Sequence, residues 1–387
     1  MSSSSLPLVK TNYIYTRANW PAFRWNETIL ISPLVAVRHA QGRLLGRMES
    51  LGFRLRGEAN LAVMTSEVVK SSAIEGEVLD DRQVRSSLAR RLGINTGGTV
   101  PASRAVEGVV EMLLDATRKY TDPLNAERLF GWHAALFPTG RSGMRKIAVG
   151  IWRPAEAGPM QVVSGPMGRE TVHYEAPEAT RVPDEMKVFL EWFNAAPRTD
   201  PVIKAALAHF WFVTIHPFED GNGRIARAIA DMALARADGA AERFYSMSAQ
   251  IEAERRDYYA ALEESQKGDL DVTLWLAWFI ECLARSLDRA EETLSAVLFK
   301  ARVWQRVGNA RVNDRQRVVL NRLLDGFEGT LTTSKYAKMA HCSSDTALRD
   351  IQELLERDVL LRNPGAGRSA SYRLAELGTK DAASRPT

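Results

Sequence analysis

His216-Pro217-Phe218-Glu219-Asp220-Gly221-Asn222-Gly223-Arg224-Ile225-Ala226-Arg227 is the densest run of chemistry in the chain. It reads as a loop that opens a helix. Gly221 and Gly223 allow positive φ and a close approach of backbone to ligand. The free N–H groups at the start of the following helix suit phosphate oxygens. Arg224 and Arg227 are three apart, hence on one helical face, and can grip further phosphates in a bidentate way. Asp220 is a hard oxygen ligand fit for a Mg²⁺ that bridges phosphates. His216, one loop away, has the right chemistry for a general base near neutral pH. Base, metal ligand, anion cradle and two cations within twelve residues point to nucleotidyl or phosphoryl transfer. A calcium loop is the rival, since Asp220 and Asn222 match its first two ligand positions. It fails on Arg224 at a ligand position, Ile225 where glycine is required, and no Glu at position twelve.

Outward from this stretch the pattern is helical. Val202 to Ile215 precedes it as an apolar helix, and Arg224 to Arg236 continues it. Asp184 to Phe193, Ser248 to Ser265 and Val272 to Phe299 also carry helical spacing, while Pro183 biases Val182 away from helix. Upstream, Leu34 to Met48, Ala59 to Ile74 and a block from Ser103 to Phe137 follow the same rhythm. Between Ile147 and Tyr174 the texture changes to β-prone runs, Ile147 to Val149, Gln161 to Val163 and Thr171 to Tyr174. Gly165 to Gly168 reads as the turn joining the last two into a hairpin. The last 75 residues predict three helices (Arg315 to Leu324, Thr332 to Ala340, Asp345 to Arg357) and then two strands, the winged helix-turn-helix order. The division expected is 1–100 as an N-terminal helical region, 101–295 as a core and 305–387 as the winged-helix domain.

Composition bounds the function. The chain has 387 residues, 45% hydrophobic and 25% charged, enough for two or three packed domains and inconsistent with global disorder. A net charge of +4 is too small to imply a polyanion partner. Cys282 and Cys342 lie far apart, which excludes a disulfide framework and fits a reducing cytosol. No apolar run reaches the roughly 20 residues of a membrane span, and Met1 to Lys10 lacks a signal-peptide core. The expectation is a cytoplasmic protein without a membrane partner. His133, His209 and His173 have no acidic or Cys partners at ligand spacing and are expected in the core, not in a zinc site.

The twelve-residue stretch resembles, without a mismatch, the signature of the Fic family, His-x-Phe-x-(Asp/Glu)-Gly-Asn-Gly-Arg-x-x-Arg. The resemblance implies a mainly α fold, a Fic-type helical core with a β-hairpin flap and, here, an appended winged helix. It implies transfer of AMP from ATP to a Ser, Thr or Tyr hydroxyl of a target protein. His216 would deprotonate that hydroxyl, Asp220 would hold Mg²⁺, and Asn222 with the amides of Gly221 and Gly223 would stabilise the phosphates. Arg224 and Arg227 would hold the leaving pyrophosphate. Upstream, Ser71-Ser72-Ala73-Ile74-Glu75-Gly76 places Ser71 and Glu75 four apart, with Gly76 as a helix stop. It resembles the family's inhibitory motif, which implies that Glu75 pairs with Arg227; the neighbouring Glu77 to Asp80 and Val84 to Ser87 are similar to the N-terminal region of bacterial members. The same carboxylate would alternatively position water and remove AMP from the target. Tyr258-Tyr259-Ala260-Ala261-Leu262 resembles a stretch lining the adenine pocket; where some relatives have an Asn near the ribose, this chain has Gln266. The flap would receive the target as an added strand, and its Val162, Val163 and Val172 suit either that role or hairpin packing.

A regulator that binds DNA and only senses nucleotide is the competing class. Residues 300–387 carry 16 Lys plus Arg against 10 Asp plus Glu, a net +6. The helix that would enter a groove is acidic, though, with Asp345, Asp350, Glu353 and Glu356 against Arg349 and Arg357. This composition suits a solvated face and favours protein docking or homodimer packing over DNA, leaving Arg362, Arg368 and Arg373 for any phosphate contact.

Overall fold

The computed structural model describes residues 13–49, 53–94, 100–165, 169, 171–307, 312–324, 327, 329–364 and 370–375. Contacts divide the chain into two units, Met1–Glu291 and Glu292–Thr387, with the division falling inside one long helix. The fold is mainly α, as expected.

The first unit begins with α1 (Glu27–Glu49), α2 (Phe53–Ile74) and α3 (Asp81–Leu92). Leu30, Val37, Gln41, Leu44 and Met48 form the buried stripe of α1, at the threes and fours that a 3.6-residue period imposes. The Asp80 carboxylate caps α3 by accepting from the N–H groups of Arg82 and Gln83, and Gly93 ends it at φ 71°. This helix was not legible in the sequence: in Asp81–Leu92 the apolar residues Val84, Leu88, Ala89 and Leu92 are outnumbered by polar ones. Next come α4 (Arg104–Arg118) and α5 (Ala126–Leu136), capped by Ser103 and Asn125. The pair packs so closely that a Cβ on Gly108 would overlap the backbone carbonyl of Ala135. A backbone obstacle cannot rotate away, so Gly108→Ala is expected to cost about 1–3 kcal/mol, read as a lower urea midpoint with an unchanged slope.

Two hairpins follow, β1 (Arg141–Ser142) with β2 (Arg145–Lys146), and β3 (Gln161–Ser164) with β4 (Thr171–Glu175), both antiparallel. The second is the expected flap; most of the turn assigned to it, 166–168, lies outside the described residues. Ile147 to Val149 is not a strand. Its amides are used elsewhere, Ile147 N–H on the Gly140 carbonyl and Ala148 N–H on the Glu219 carboxylate.

The core is built on α6 (Val182–Asn194), α7 (Pro201–Ile215), α8 (Asn222–Asp238), α9 (Met247–Ala253), α10 (Arg255–Lys267) and α11 (Thr273–Val307). Contrary to expectation Val182 is helical (φ −56°, ψ −44°): Pro183 falls in the first turn, where its missing N–H has no bond to lose. Helix α7 is buried on every side from Ala205 to Ile215 and packs lengthwise on α8, so it forms the axis of the unit. The single helix expected over Ser248 to Ser265 breaks at Glu254 (φ −112°, ψ 30°), whose carboxylate is held by Arg285 at 2.5 and 2.7 Å.

In the second unit α12 (Asp314–Leu324), β5 (Leu331–Thr332), α13 (Thr333–Met339), α14 (Ser344–Glu356), β6 (Leu360–Arg362) and β7 (Ser371–Leu374) follow in winged-helix order. A third strand joins the expected two, giving the sheet β5-β7-β6. Val319, Leu320, Leu331, Tyr336, Ile351 and Leu354 are its core. Asp350, read from the sequence as solvated, is buried instead. It binds Arg315 at 2.8 Å and receives hydrogen bonds from Asn313 and the Tyr336 hydroxyl. A carboxylate can be buried there because each of its oxygens is answered. Of the wing arginines, Arg368 lies outside the described residues. Among the described residues no helix is long and apolar enough to cross a membrane.

Candidate active site

The axis helix delivers the candidate base. His216 caps α7 in the left-handed region (φ 52°, ψ 59°), which few residues other than glycine adopt. Its Nδ1 lies 3.1 Å from the Val213 carbonyl, a partner that only accepts, so Nδ1 carries the proton and Nε2 keeps its lone pair. Burial pushes the imidazole down to about 4; the nearby Arg153 acts in the same sense, while the Val213 hydrogen bond, Glu75 and Asp220 oppose it. The ring is thus neutral, the form that accepts a proton, throughout the physiological range.

Below the loop Phe218 is fully buried and stacks on His133 with centroids 4.2 Å apart. Asn222 locks the loop: its Oδ1 accepts from Phe218 N–H at 3.0 Å, and its Nδ2 donates to the Phe218 carbonyl at 2.8 Å. Both polar ends of Asn222 are committed to backbone, which leaves the amides at the start of α8 as the anion-facing groups. Gly221 (φ 79°) is required twice over, by its backbone angle and because a Cβ would press on Phe137 and Leu136. The Asp220 carboxylate accepts from Gly221 N–H at 2.6 Å and from the Ser142 hydroxyl. Among the described residues no group of three His, Cys, Asp or Glu could enclose a metal ion. One carboxylate beside a phosphate berth nevertheless fits Mg²⁺, which takes few protein ligands and completes its shell with phosphates and water.

Both arginines of the stretch are buried, each about 3% exposed. Arg227 donates from Nε to the Ser71 hydroxyl at 2.9 Å and from a terminal nitrogen to the Ser71 carbonyl at 2.8 Å; that same nitrogen lies 2.9 Å from Glu75. Ser71 and Glu75 therefore meet on Arg227, although α2 ends at Ile74 and Glu75 stands in the turn beyond it. Gly76 follows at φ 84°. Burial, the largest influence, would lower the Arg227 pKa; Glu75 together with Tyr258 and Tyr259 opposes it, and the net direction is up. The Glu75 carboxylate also lies directly over Gly223, where a phosphate oxygen would meet the start of α8. Arg224 donates to Glu77 at 2.6 Å and lies over the Phe137 ring. Each guanidinium retains one buried nitrogen without a partner, Nε of Arg224 and a terminal nitrogen of Arg227. These are donors left for an anion.

The aromatic pair divides. Tyr258 is buried and its hydroxyl lies 3.0 Å from His209 Nε2, whereas Tyr259 is 37% exposed and reaches the Ile74 carbonyl at 3.4 Å. Gln266 is buried against the Thr214 hydroxyl. His133 and His209 are core residues, as expected. His173 is not: it stands on the flap, Nδ1 at 2.8 Å from Glu263 and Nε2 at 2.6 Å from Ser164. Val163 and Val172 are exposed, while Tyr174 roots the flap through a 2.6 Å bond from its hydroxyl to the Thr214 carbonyl.

Burial holds His209 at about 3, whereas the unfolded imidazole titrates near 6.5. As pH falls below 6.5 the unfolded chain gains a proton that the folded chain refuses, so this group withdraws stability on the acid side. Between pH 7 and 5 the native protein is expected to lose about 2 kcal/mol more than His209→Phe, measured by urea unfolding at both values.

Sequence reasoning missed Ser142, Arg153 and the use made of Glu77. Arg153 donates from Nε to the His216 carbonyl at 2.8 Å. A lone arginine between Trp152 and Pro154 has no spacing that would have marked it.

A candidate base at the end of one helix stands beside a glycine loop and two buried guanidinium groups on the next, a set that can receive an anion. Residues 123–234 match the family model described as Fic/DOC family, so the chain contains a Fic domain; residues 13–94 match a domain of unknown function, DUF4172. The chain is 30% identical over 205 residues to the protein adenylyltransferase fic-1 of Caenorhabditis elegans, covering 52% of this chain and 37% of that protein. It is 27% identical over 227 residues to the protein adenylyltransferase Fic of Culex quinquefasciatus, covering 57% of this chain and 40% of that protein. The matches thus span about two fifths of those relatives' own lengths. A Fic family protein from Desulfovibrio desulfuricans shares the fold, with a TM-score of 0.50 and 20% identity over 90% of this chain and 97% of that one.

Proposed function

We propose that this protein transfers AMP from ATP to a Ser, Thr or Tyr hydroxyl of a target protein, and that Glu75 holds it in an inhibited state. The observation that carries the reading is the pair of buried arginines beside the start of α8, each engaged by a carboxylate from the short segment Glu75-Gly76-Glu77. Anion-binding groups are assembled at the first turn of a helix and then covered by side-chain anions. This is the arrangement expected of a phosphate site occupied by its own inhibitor.

In the reaction, Nε2 of His216 takes the proton of the acceptor hydroxyl. That oxygen forms a bond to the α-phosphorus as the bond from the α-phosphorus to the β-bridging oxygen breaks, and pyrophosphate leaves. Arg224 and Arg227 bind the β- and γ-phosphates, so their positive charge meets the charge that develops on the leaving group. The amides at the start of α8 face the phosphate chain. Asp220, steadied by Ser142, would hold Mg²⁺, which when bound supplies charge neutralisation along the phosphates. The target lies along the flap as an added strand, beside the exposed Val163 and Val172. With Glu75 over Gly223 and on Arg227, the triphosphate cannot take up this pose.

The test gives Mg²⁺ and ATP labelled in either the α- or the γ-phosphate to a cell lysate with and without the full chain carrying Glu75→Gly. Label added by the chain over lysate alone is expected from the α-position only. Chain-dependent label from the γ-position would mean phosphoryl transfer and overturn the proposal.

A further inference from the structure

Arg153 is a buried cation, 4% exposed, and among the described residues no carboxylate pairs with it. Its hydrogen bonds go to backbone carbonyls. Nε donates to His216 at 2.8 Å, a terminal nitrogen donates to Pro177, and the residue's own N–H donates to Pro217 at 2.9 Å. Two of these carbonyls belong to the loop carrying the base. The third lies two residues beyond β4, at the foot of the flap.

The conformation of His216 gives the strap its purpose. A non-glycine residue at φ 52° is strained and persists only where its surroundings over-determine it. Three ties do so: the His216 N–H on the Phe212 carbonyl, Nδ1 on the Val213 carbonyl, and its own carbonyl on Arg153. The first two come from α7, on which the residue already sits. Arg153 is the tie from outside that helix, and it reaches the flap as well.

We propose that Arg153 is a positioning residue for the transfer reaction, strapping the peptide of the base to the foot of the flap so that acceptor edge and imidazole share one frame. This rests on His216 being the base and on the flap being the docking edge, as proposed above. The charged groups facing the imidazole are Arg153 from the segment before the flap, Glu75 from the turn after α2 and Asp220 from its own loop. Removing the Arg153 cation therefore leaves two carboxylates unopposed and favours the imidazolium, in addition to loosening the ring.

The test has two arms, with Arg153→Met and Arg153→Lys made in the full chain. In the first, the His216 ring is titrated by NMR, its signal assigned by its loss in His216→Ala. The native midpoint near 4 is expected to rise by about one pH unit in the Met variant and to stay close to native in the Lys variant, which keeps the charge. In the second, α-label transfer is measured in a Glu75→Gly background, where either variant is expected to lower kcat about 100-fold with KM for ATP within about twofold. A folded Met variant with native midpoint and unchanged kcat overturns the proposal, as does a change confined to melting temperature. If the Met variant does not fold, unchanged kcat in the Lys variant does the same. Should the Glu75→Gly parent transfer no label, the transferase reading fails by itself, and the midpoint of His216 still decides what Arg153 does to the ring.

Discussion

Glu75→Gly is expected to raise AMP transfer onto lysate proteins about 10- to 100-fold. The charge-assisted hydrogen bond that is lost is worth about 1.5–3 kcal/mol, and each 1.4 kcal/mol is about a factor of ten. On the proposed reading, ATP must displace that carboxylate from Arg227 before its γ-phosphate finds a partner, and must also push it off the start of α8 above Gly223. Glycine removes both obstacles. It leaves the Ser71 contacts in place, so the guanidinium stays where it was. The release is incomplete, because Glu77 still engages Arg224 at 2.6 Å. The double variant Glu75→Gly with Glu77→Gln should therefore exceed the single one, with the added gain appearing as a lower KM for ATP. Quantifying α-label per mole of enzyme checks both. A folded Glu75→Gly protein no more active than the native chain would discredit inhibition by this carboxylate. Faster removal of AMP from pre-labelled protein by the native chain than by the variant would instead assign Glu75 to hydrolysis.

His216→Ala, made in the Glu75→Gly background, is expected to lower kcat by about 10²–10⁴-fold, the usual contribution of a positioned general base. KM for ATP should barely change, since on the proposed reading the nucleotide is gripped by Arg224, Arg227 and the α8 amides and not by the imidazole. The pH profile supplies a second readout. With the imidazole held down at about 4, raising the pH through that value converts imidazolium to free base and the rate climbs; above it this group adds no further dependence. The variant should lack this acid limb. Transfer that persists at full rate without His216 would contradict its assignment as the base.

The parts of this protein that could be read from the chain are those whose energetics are local. A glycine loop ahead of a helix, Arg224 to Arg227 as its first turn, and two arginines three apart all follow from φ/ψ preferences and a 3.6-residue period, although the helix begins two residues earlier than expected, at Asn222. The same holds for the order of helices and strands in the second unit. Helix α3 escaped because Val84, Leu88 and Leu92, though four apart, are outweighed by a run of charged and polar neighbours, and Glu254 interrupts an otherwise continuous helix through a contact with the distant Arg285. Asp350 looked solvated because the sequence does not show that Arg315 and Asn313 come back to meet it.

The site divides along the same line. By itself the sequence determined which groups could handle a phosphate chain and that two guanidinium groups share one face. Tertiary structure alone decided what that face meets: Glu77, 147 residues before Arg224; Ser142, 78 before Asp220; and Arg153, 63 before His216. Backbone preference acts over a few neighbouring residues and is written into them. An ion pair or a strap between distant segments exists only once α2, the hairpins and α8 have been packed together, and no spacing along the chain encodes it.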